Sequence, residues 1–244
     1  MNVLVNRPIF AGALLLAVAV GVGATWVVSH RAAAVNHHPH PTSPNAALSE
    51  LKAGNQRYIN CKRIESIDTS NDAAMRHELF QAQHPFAAVL CCSDSRVCPE
   101  FIFDQSPGSL FKIRNAGNVV DDDVLASVEY AIEHLHIPLV VVMGHRRCGA
   151  IQAVHDADRQ PLPEHLSAIQ AHMHDLAEEV HLTHADNTQA CLDRLSNDNA
   201  LFQTKALLDQ CPLLRDAVEH GKAQVVTMTY DIDSGESQVL PPTR

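Results

Sequence analysis

Basic charge is scarce in this chain of 244 residues: 18 Lys and Arg stand against 28 Asp and Glu, a formal charge of −10. The only bases before Pro44 are Arg7 and Arg31, with no acid among them, so the remainder is more acidic still. Binding a phosphate backbone needs a basic face, and this balance argues against DNA or RNA as a partner. Glycine is sparse at 10 residues and no repeat recurs, which excludes collagen-like and solenoid designs. An apolar share of 46% with 19% charged residues excludes a disordered chain. What is left is one globular domain of roughly 200 residues behind an unusual N-terminus.

That N-terminus holds a run of 20 residues, Ile9 to Val28, with no charge and only Thr25 weakly polar. No polar face interrupts it, so it does not read as a helix of a soluble core. About 20 apolar residues span a bilayer as a helix, whereas a signal-peptide core is usually ~7–15. Length favours an uncleaved anchor, while Val22-Gly23-Ala24 and Ala32-Ala33-Ala34 offer the small residues a signal peptidase needs. Both readings imply export, to a periplasm, either soluble after cleavage or anchored to the inner membrane. Val35 to Asn45 carries three prolines in eleven residues and reads as a tether whose histidines are solvated. The expected divisions are therefore 1–34 signal or anchor, 35–45 linker and 46–244 folded domain.

In that domain, Ala46–Tyr58 carries Ala47, Leu48, Leu51 and Tyr58 at helical spacing, with Asn45 as N-cap. A second helix is predicted over Asp72–Gln83, stopped by Pro85. The continuous apolar runs Phe86–Cys91 and Leu139–Met143 suit strands buried on both faces, and Ala223–Tyr230 is a third. Helices are predicted over Val124–Leu135, from about Glu164 on the stripe Leu166, Ile169, Met173, Leu176 and Val180, from Asn199 as cap to about Asp209, and from Pro212 toward Gly221. Strands alternating with helices predict an α/β fold with a mostly parallel central sheet flanked by helices, preceded by the apolar N-terminal helix. The histidines His165, His172, His174, His181 and His184 read as a solvated face.

Chemistry concentrates where two of those strands end, the edge at which α/β sheets bind ligands. The first segment is Cys91-Cys92-Ser93-Asp94-Ser95-Arg96-Val97-Cys98 and the second is Gly144-His145-Arg146-Arg147-Cys148-Gly149. Period-two alternation turns Cys92, Asp94 and Arg96 to one side and Cys91 into packing. The three-residue spacing of His145 and Cys148 fits one face of a helical turn, with Gly144 letting the chain leave its strand. The free N–H groups of the new helix favour a thiolate at Cys148. Two sulfurs and one nitrogen from Cys92, His145 and Cys148 make a three-ligand zinc set with a fourth position open. Plain buried cysteines and a disulfide framework are the alternatives. Seven cysteines is an odd number, however, and the chain is large enough to fold without staples. Cys61, Cys191 and Cys211 remain free to pair among themselves.

The two segments together resemble the signature of the β-class carbonic anhydrases: Cys92, Asp94 and Arg96 in one, His145, Cys148 and Gly149 in the other. The resemblance runs from Leu48-x-x-Leu51-x-x-Gly54-Asn55-x-Arg57-Tyr58 to Tyr230-Asp231-Ile232-Asp233-Ser234-Gly235, about Ala46 to Leu240. It implies one Zn²⁺ per subunit on Cys92, His145 and Cys148. The fourth position is taken by water or by Asp94, which Arg96 draws off the metal. It also implies that Gln83 and the Gly149 N–H bind carbon dioxide or bicarbonate. Phe111 and Tyr130 would line an apolar pocket, and Gln83, Phe111 and Tyr130 would come from a neighbouring subunit of a homodimer or homotetramer. Val89 stands where some bacterial members place a tryptophan of an inhibitory bicarbonate pocket, which implies the plant-like, non-allosteric kind. Ala150 stands where many members have glycine.

The implied reaction is reversible hydration of carbon dioxide by attack of zinc-bound hydroxide. A His-only site brings the acidity constant of bound water from ~15.7 toward ~7. Two thiolates cancel the charge of the metal, so a less acidic water and higher activity at alkaline pH are expected here, and a flat activity profile from about pH 6 to 9 counts against this. The alternatives are a hydrolase of carbonyl sulfide or carbon disulfide on the same site, and a non-catalytic zinc-binding or carbon dioxide-sensing module.

Overall fold

The computed structural model describes residues 40–64, 72–157, 160–173 and 188–241. The apolar run Ile9–Val28, most of the tether, and Leu176 and Val180 of the helical stripe lie outside the described residues. No described helix is long and apolar enough to cross a membrane.

Helix α1 (Pro44–Ile59) begins two residues before the expected start. Its cap is Ser43 and not Asn45: the Ala46 N–H donates to Ser43 Oγ at 3.4 Å, and Pro44 follows at the first helical position, where a missing N–H costs nothing. Helix α2 (Asp72–Leu79) is shorter than predicted and leaves Gln83 in an exposed connection. Strand β1 (Ala87–Cys92) is followed by the one-turn helix α3 (Pro99–Ile102), β2 (Leu110–Asn115) and α4 (Asp122–Glu133). Then come β3 (Leu139–His145), α5 (Gly149–Asp156) and α6 (Leu166–His172). Helices α7 (Gln189–Gln210) and α8 (Pro212–Glu219) precede β4 (Gln224–Tyr230) and β5 (Ser237–Val239).

The five strands form one sheet in the order β2-β1-β3-β4-β5, parallel throughout except for the short antiparallel β5. Strands β1 and β3 are central, and every residue in both is buried. On one face Val89, Cys91, Val141 and Met143 pack with Ala47 and Leu51 of α1 and with Ile102 and Phe103. On the other, Ala88, Leu90, Val140 and Val142 pack with Val124 and Val128 of α4, Leu207 of α7 and Leu214 of α8. The chain leaves β1 for β2 on one side and leaves β3 for β4 on the other. The carboxyl ends of β1 and β3 therefore lie side by side where the connections diverge, the place in such sheets where a crevice opens.

Two sequence expectations change here. Helix α7 is one continuous helix from Gln189, capped by Thr188 Oγ1, so Asn199 is not a cap. Asn199 is fully buried in mid-helix, where its side chain meets a tertiary partner described below. Gly144 does not turn the chain out of β3, because the strand continues to His145. A Cβ there would lie 2.8 Å from the Ser196 carbonyl oxygen and 3.1 Å from Ala200 Cβ, so glycine is what lets α7 approach β3. Strand β2 lay hidden in the sequence because it is an edge strand, half exposed and carrying Lys112 and Arg114.

Candidate metal centre

Strand β1 delivers Cys92 at its last position and strand β3 delivers His145 at its own, while Cys148 is the N-cap of α5. One ligand atom from each of these three lies within 4.8 Å of the other two, and all three residues are buried. The His145–Cys148 spacing is achieved differently from the sequence expectation. The chain does not run on as a helical turn; Arg147 takes a left-handed backbone at φ 56°, and Cys148 is extended. Around the ligands lies an apolar shell that includes Val119, Ile151, Met173, Leu192 and Leu195.

The donor set fits zinc on three counts. First, the Cys92 and Cys148 sulfurs are 4.0 Å apart, close to the ~3.8 Å that two Zn–S bonds of ~2.3 Å subtend at a tetrahedral angle. Second, His145 Nδ1 lies 2.9 Å from the Arg146 carbonyl oxygen, which can only accept, so Nδ1 carries the proton. That leaves Nε2 as a bare lone pair, and this buried atom has no hydrogen-bond partner. Third, the two thiols act on each other. The Cys148 thiol, the His145 side chain and the Gly117 N–H, 3.4 Å away, hold Cys92 well below the ordinary thiol range against the effect of burial, and Cys148 is pushed up in turn by its bond to Cys92 and by burial. A cation between them would satisfy both sulfurs and the imidazole at once.

Asp94 is absent from that cluster. Its carboxylate is held by Arg96 in a bidentate pair, Nε to Oδ1 at 2.9 Å and Nη2 to Oδ2 at 2.7 Å, and the Arg96 backbone N–H adds a third bond at 3.0 Å. These bonds to Arg96 depress the Asp94 carboxyl to about 2. Arg96 Nη2 also donates to the Arg147 carbonyl at 3.1 Å. Arg114 fixes the segment between ligand and dyad from below, donating to the carbonyls of Cys92 and Asp94 at 2.9 Å each.

Of the remaining sequence candidates, Gly149 directly follows the ligand Cys148, whereas Gln83, Phe111 and Tyr130 are not part of the cluster. Phe111 and Tyr130 pack on each other, with ring centroids 6.0 Å apart, on the face of the sheet that holds α4. Tyr130 is 44% exposed and Gln83 is exposed. Gly149 opens α5, where a Cβ would meet nothing. Val89 is fully buried in β1. All seven cysteines are free, so Cys61, Cys191 and Cys211 do not pair with one another.

Several supporting residues had no sequence signal. Gln203 Oε1 accepts the Val120 N–H at 2.8 Å, and Asn199 Nδ2 donates to the Gly117 carbonyl at 2.9 Å. Together they hold the loop that reaches Cys92. Asp193 on α7 holds the turn between His145 and Cys148.

Comparison with known proteins agrees with this geometry. The family model described as carbonic anhydrase matches residues 87–237. A carbonic anhydrase of Mycolicibacterium smegmatis is 34% identical over 202 residues, covering 81% of this chain and 94% of that protein. One from Pseudomonas aeruginosa is 36% identical over 178 residues, covering 68% and 79%. Among solved structures, the β-carbonic anhydrase CcaA superposes with a TM-score of 0.65 at 26% identity, covering 80% of this chain and 95% of that one. CafA, a β-carbonic anhydrase of Aspergillus fumigatus, gives 0.64 at 27% identity, covering 72% and 85%.

Proposed function

The chain belongs to the β-carbonic anhydrase family, and we propose that it hydrates carbon dioxide reversibly to bicarbonate at a zinc ion held by Cys92, His145 and Cys148. The observation that carries this is the convergence of two sulfurs and one unpartnered imidazole nitrogen, from two strand ends and a helix cap, in a buried apolar shell.

Zinc, when bound, supplies the Lewis acidity that makes water a usable nucleophile near neutral pH. The residues of the chain do the rest. The Arg146 carbonyl keeps His145 in the tautomer that leaves Nε2 bare. Arg96 holds the Asp94 carboxylate away from the ligand cluster, so Cys92, His145 and Cys148 alone would hold the metal. Released from Arg96, that carboxylate would be a further donor able to hold the metal. The Gln83 amide and the Gly149 N–H serve as donors to oxygens of the substrate, and Phe111 and Tyr130 supply apolar lining. Because Gln83, Phe111 and Tyr130 stand apart from the cluster of their own chain, they act in the site of a neighbouring subunit, and the working unit is a homodimer or homotetramer. A tetrameric β-carbonic anhydrase pair from Sordaria macrospora shares the fold and supports that reading. With Val89 in the strand, no tryptophan-based inhibitory pocket forms, and the enzyme is of the non-allosteric kind. The apolar run Ile9–Val28 directs the enzyme out of the cytoplasm, to the periplasm or the outer surface of the inner membrane.

A carbon dioxide hydration assay on the full chain, with zinc measured on the same sample, tests the reading. Turnover with about one zinc per chain is expected, and loss of both in Cys92→Ser. A zinc-free chain, or a zinc-loaded one that hydrolyses carbonyl sulfide or carbon disulfide but does not hydrate carbon dioxide, overturns it. Fractionation and the N-terminal sequence of the mature protein read the fate of the apolar run.

A further inference from the structure

The two residues between the second and third ligands, Arg146 and Arg147, engage all four of their backbone hydrogen-bonding groups. Two of these groups serve the site: the Arg146 carbonyl accepts from His145 Nδ1 at 2.9 Å and the Arg147 carbonyl accepts from Arg96 Nη2 at 3.1 Å. The other two tie the turn to the scaffold. The Arg146 N–H donates to the Tyr230 carbonyl at 2.9 Å, and the Arg147 N–H donates to Asp193 Oδ1 at 3.0 Å. Of the two anchors, one is backbone and belongs to the end of β4. The other is a side chain from α7, 7% exposed, and so can be removed by substitution.

We propose that Asp193 is a positioning residue of the metal centre, fixing the Arg146–Arg147 turn and, through its two inward carbonyls, orienting both the His145 imidazole and the Arg96 side chain that restrains Asp94. This rests on the zinc reading above. Asp193 is itself over-determined: Gln189 Nε2 donates to the same Oδ1 at 2.8 Å, and Arg146 Nε donates to Oδ2 at 2.7 Å. Arg146 in turn reaches Asp231 Oδ2 at 2.7 Å, joining the turn to the segment after β4. A left-handed non-glycine residue such as Arg147 persists only where its surroundings hold it, and Asp193 supplies the side-chain part of that hold. Through the turn, α7 reaches the metal ligand and the dyad by one carboxylate.

The test compares wild type, Asp193→Ala and Asp193→Asn as zinc-loaded full chains, each also in an Arg96→Ala background. Zinc release to a chelator is the readout independent of turnover. Partners that orient a ligand carry roughly 10–100-fold in metal affinity or activity, so release from Asp193→Ala should be about tenfold faster or more. Asp193→Asn keeps an oxygen for the Arg147 N–H and should release zinc within about threefold of wild type. The fall in kcat of Asp193→Ala should be about tenfold alone and smaller when Arg96 is already absent, since the part routed through the Arg147 carbonyl to Arg96 is then gone while the part routed through His145 remains. If Asp193→Ala does not fold, Asp193→Ser, whose shorter side chain falls short of the turn, carries the same expectations. Unchanged zinc release, equal impairment of Asn and Ala, or a kcat loss that is the same in both backgrounds overturns the proposal. A wild-type chain that holds no zinc refutes the zinc reading instead, so the two failures are distinct.

Discussion

Asn199 offers the sharpest check on how the metal centre is supported. It is fully buried; its Nδ2 donates to the Gly117 carbonyl at 2.9 Å and its Oδ1 accepts from Gln203 Nε2 at 3.2 Å. Asn199→Ala removes both bonds. The Gly117 carbonyl then has no donor in place of Nδ2, which costs about 1–3 kcal/mol, and loss of the second bond adds about 0.5–1.5 kcal/mol. Gln203 is not orphaned, because its Nε2 also donates to the His172 carbonyl at 3.0 Å. The expected destabilisation is about 1.5–4.5 kcal/mol, or a fall in Tm of about 3–18 °C for a domain of this size. Thermal unfolding is measured with zinc in fixed excess, because bound metal raises Tm by mass action. Since Gly117 also donates its N–H to Cys92 Sγ, zinc release should speed up several-fold.

Asn199→Asp refines the same experiment. Its shape is unchanged, but only the protonated carboxyl can donate to the Gly117 carbonyl, and burial favours that neutral form. The carboxyl is therefore raised in the folded state above its unfolded value of about 3.9. Stability from such a group is complete below the unfolded value and is lost as pH rises toward the folded one, by at most about 1.4 kcal/mol per pH unit. The deficit against wild type should grow upward from about pH 4 and then level off. A Tm within about 2 °C of wild type for the alanine variant, or an aspartate deficit that does not change with pH, refutes the assigned bonding.

Arg96→Ala should keep about one zinc per chain while kcat falls at least tenfold, measured by hydration kinetics beside zinc analysis; retained turnover would show that the Asp94–Arg96 pair is not needed. Gly54→Ala should lower stability by about 1–3 kcal/mol or more in denaturant unfolding, because a Cβ at that position would lie 1.8 Å from the Phe103 carbonyl oxygen, with backbone on both sides. Tyr130→Asp places a charge at the exposed Tyr130, which packs on the half-buried Phe111. Sedimentation should show a smaller assembly with kcat reduced, and an unchanged assembly with full activity would remove these residues from the subunit interface.

What the sequence made legible follows from how completely each element is buried. Strands β1 and β3 are enclosed on both faces, so their runs are apolar without interruption and announce themselves. Strand β2 is an edge, and its Lys112 and Arg114 disguise it. The start of α7 was misplaced because Asn199 has a cap-forming side chain, yet its partner is a carbonyl in another part of the chain, which no local pattern reveals. Residue type singled out Cys92, His145 and Cys148, and their side chains do converge, though by a left-handed turn at Arg147 and not by the helical turn that the spacing suggests. Gly144 reads locally as a turn residue, whereas its reason is the close approach of α7, which is a matter of packing between distant segments. Asp193 and Gln203 were invisible for the same reason. The Ala116-Gly117-Asn118 stretch did hold a signal, a glycine at φ 76° whose Cβ would lie 2.3 Å from Met173 Cε.

The proposed function requires that the Asp94–Arg96 pair can open. The backbone of Asp94 is pinned, its carbonyl accepting from the Val97 N–H at 3.0 Å and from Arg114 at 2.9 Å, so only the carboxylate can move. Its partner Arg96 has a side chain that is 47% exposed. A fully buried pair would be costly to break, because each freed charge would be left without water. This pair lies between that case and a fully exposed one: the Asp94 side chain is 15% exposed, so when the pair opens solvent reaches the guanidinium more readily than the carboxylate. The position of Arg96 therefore decides more than its charge. It holds both oxygens of Asp94 while its own guanidinium stays wet, and the Arg147 carbonyl that it also grips ties the pair to the turn between His145 and Cys148.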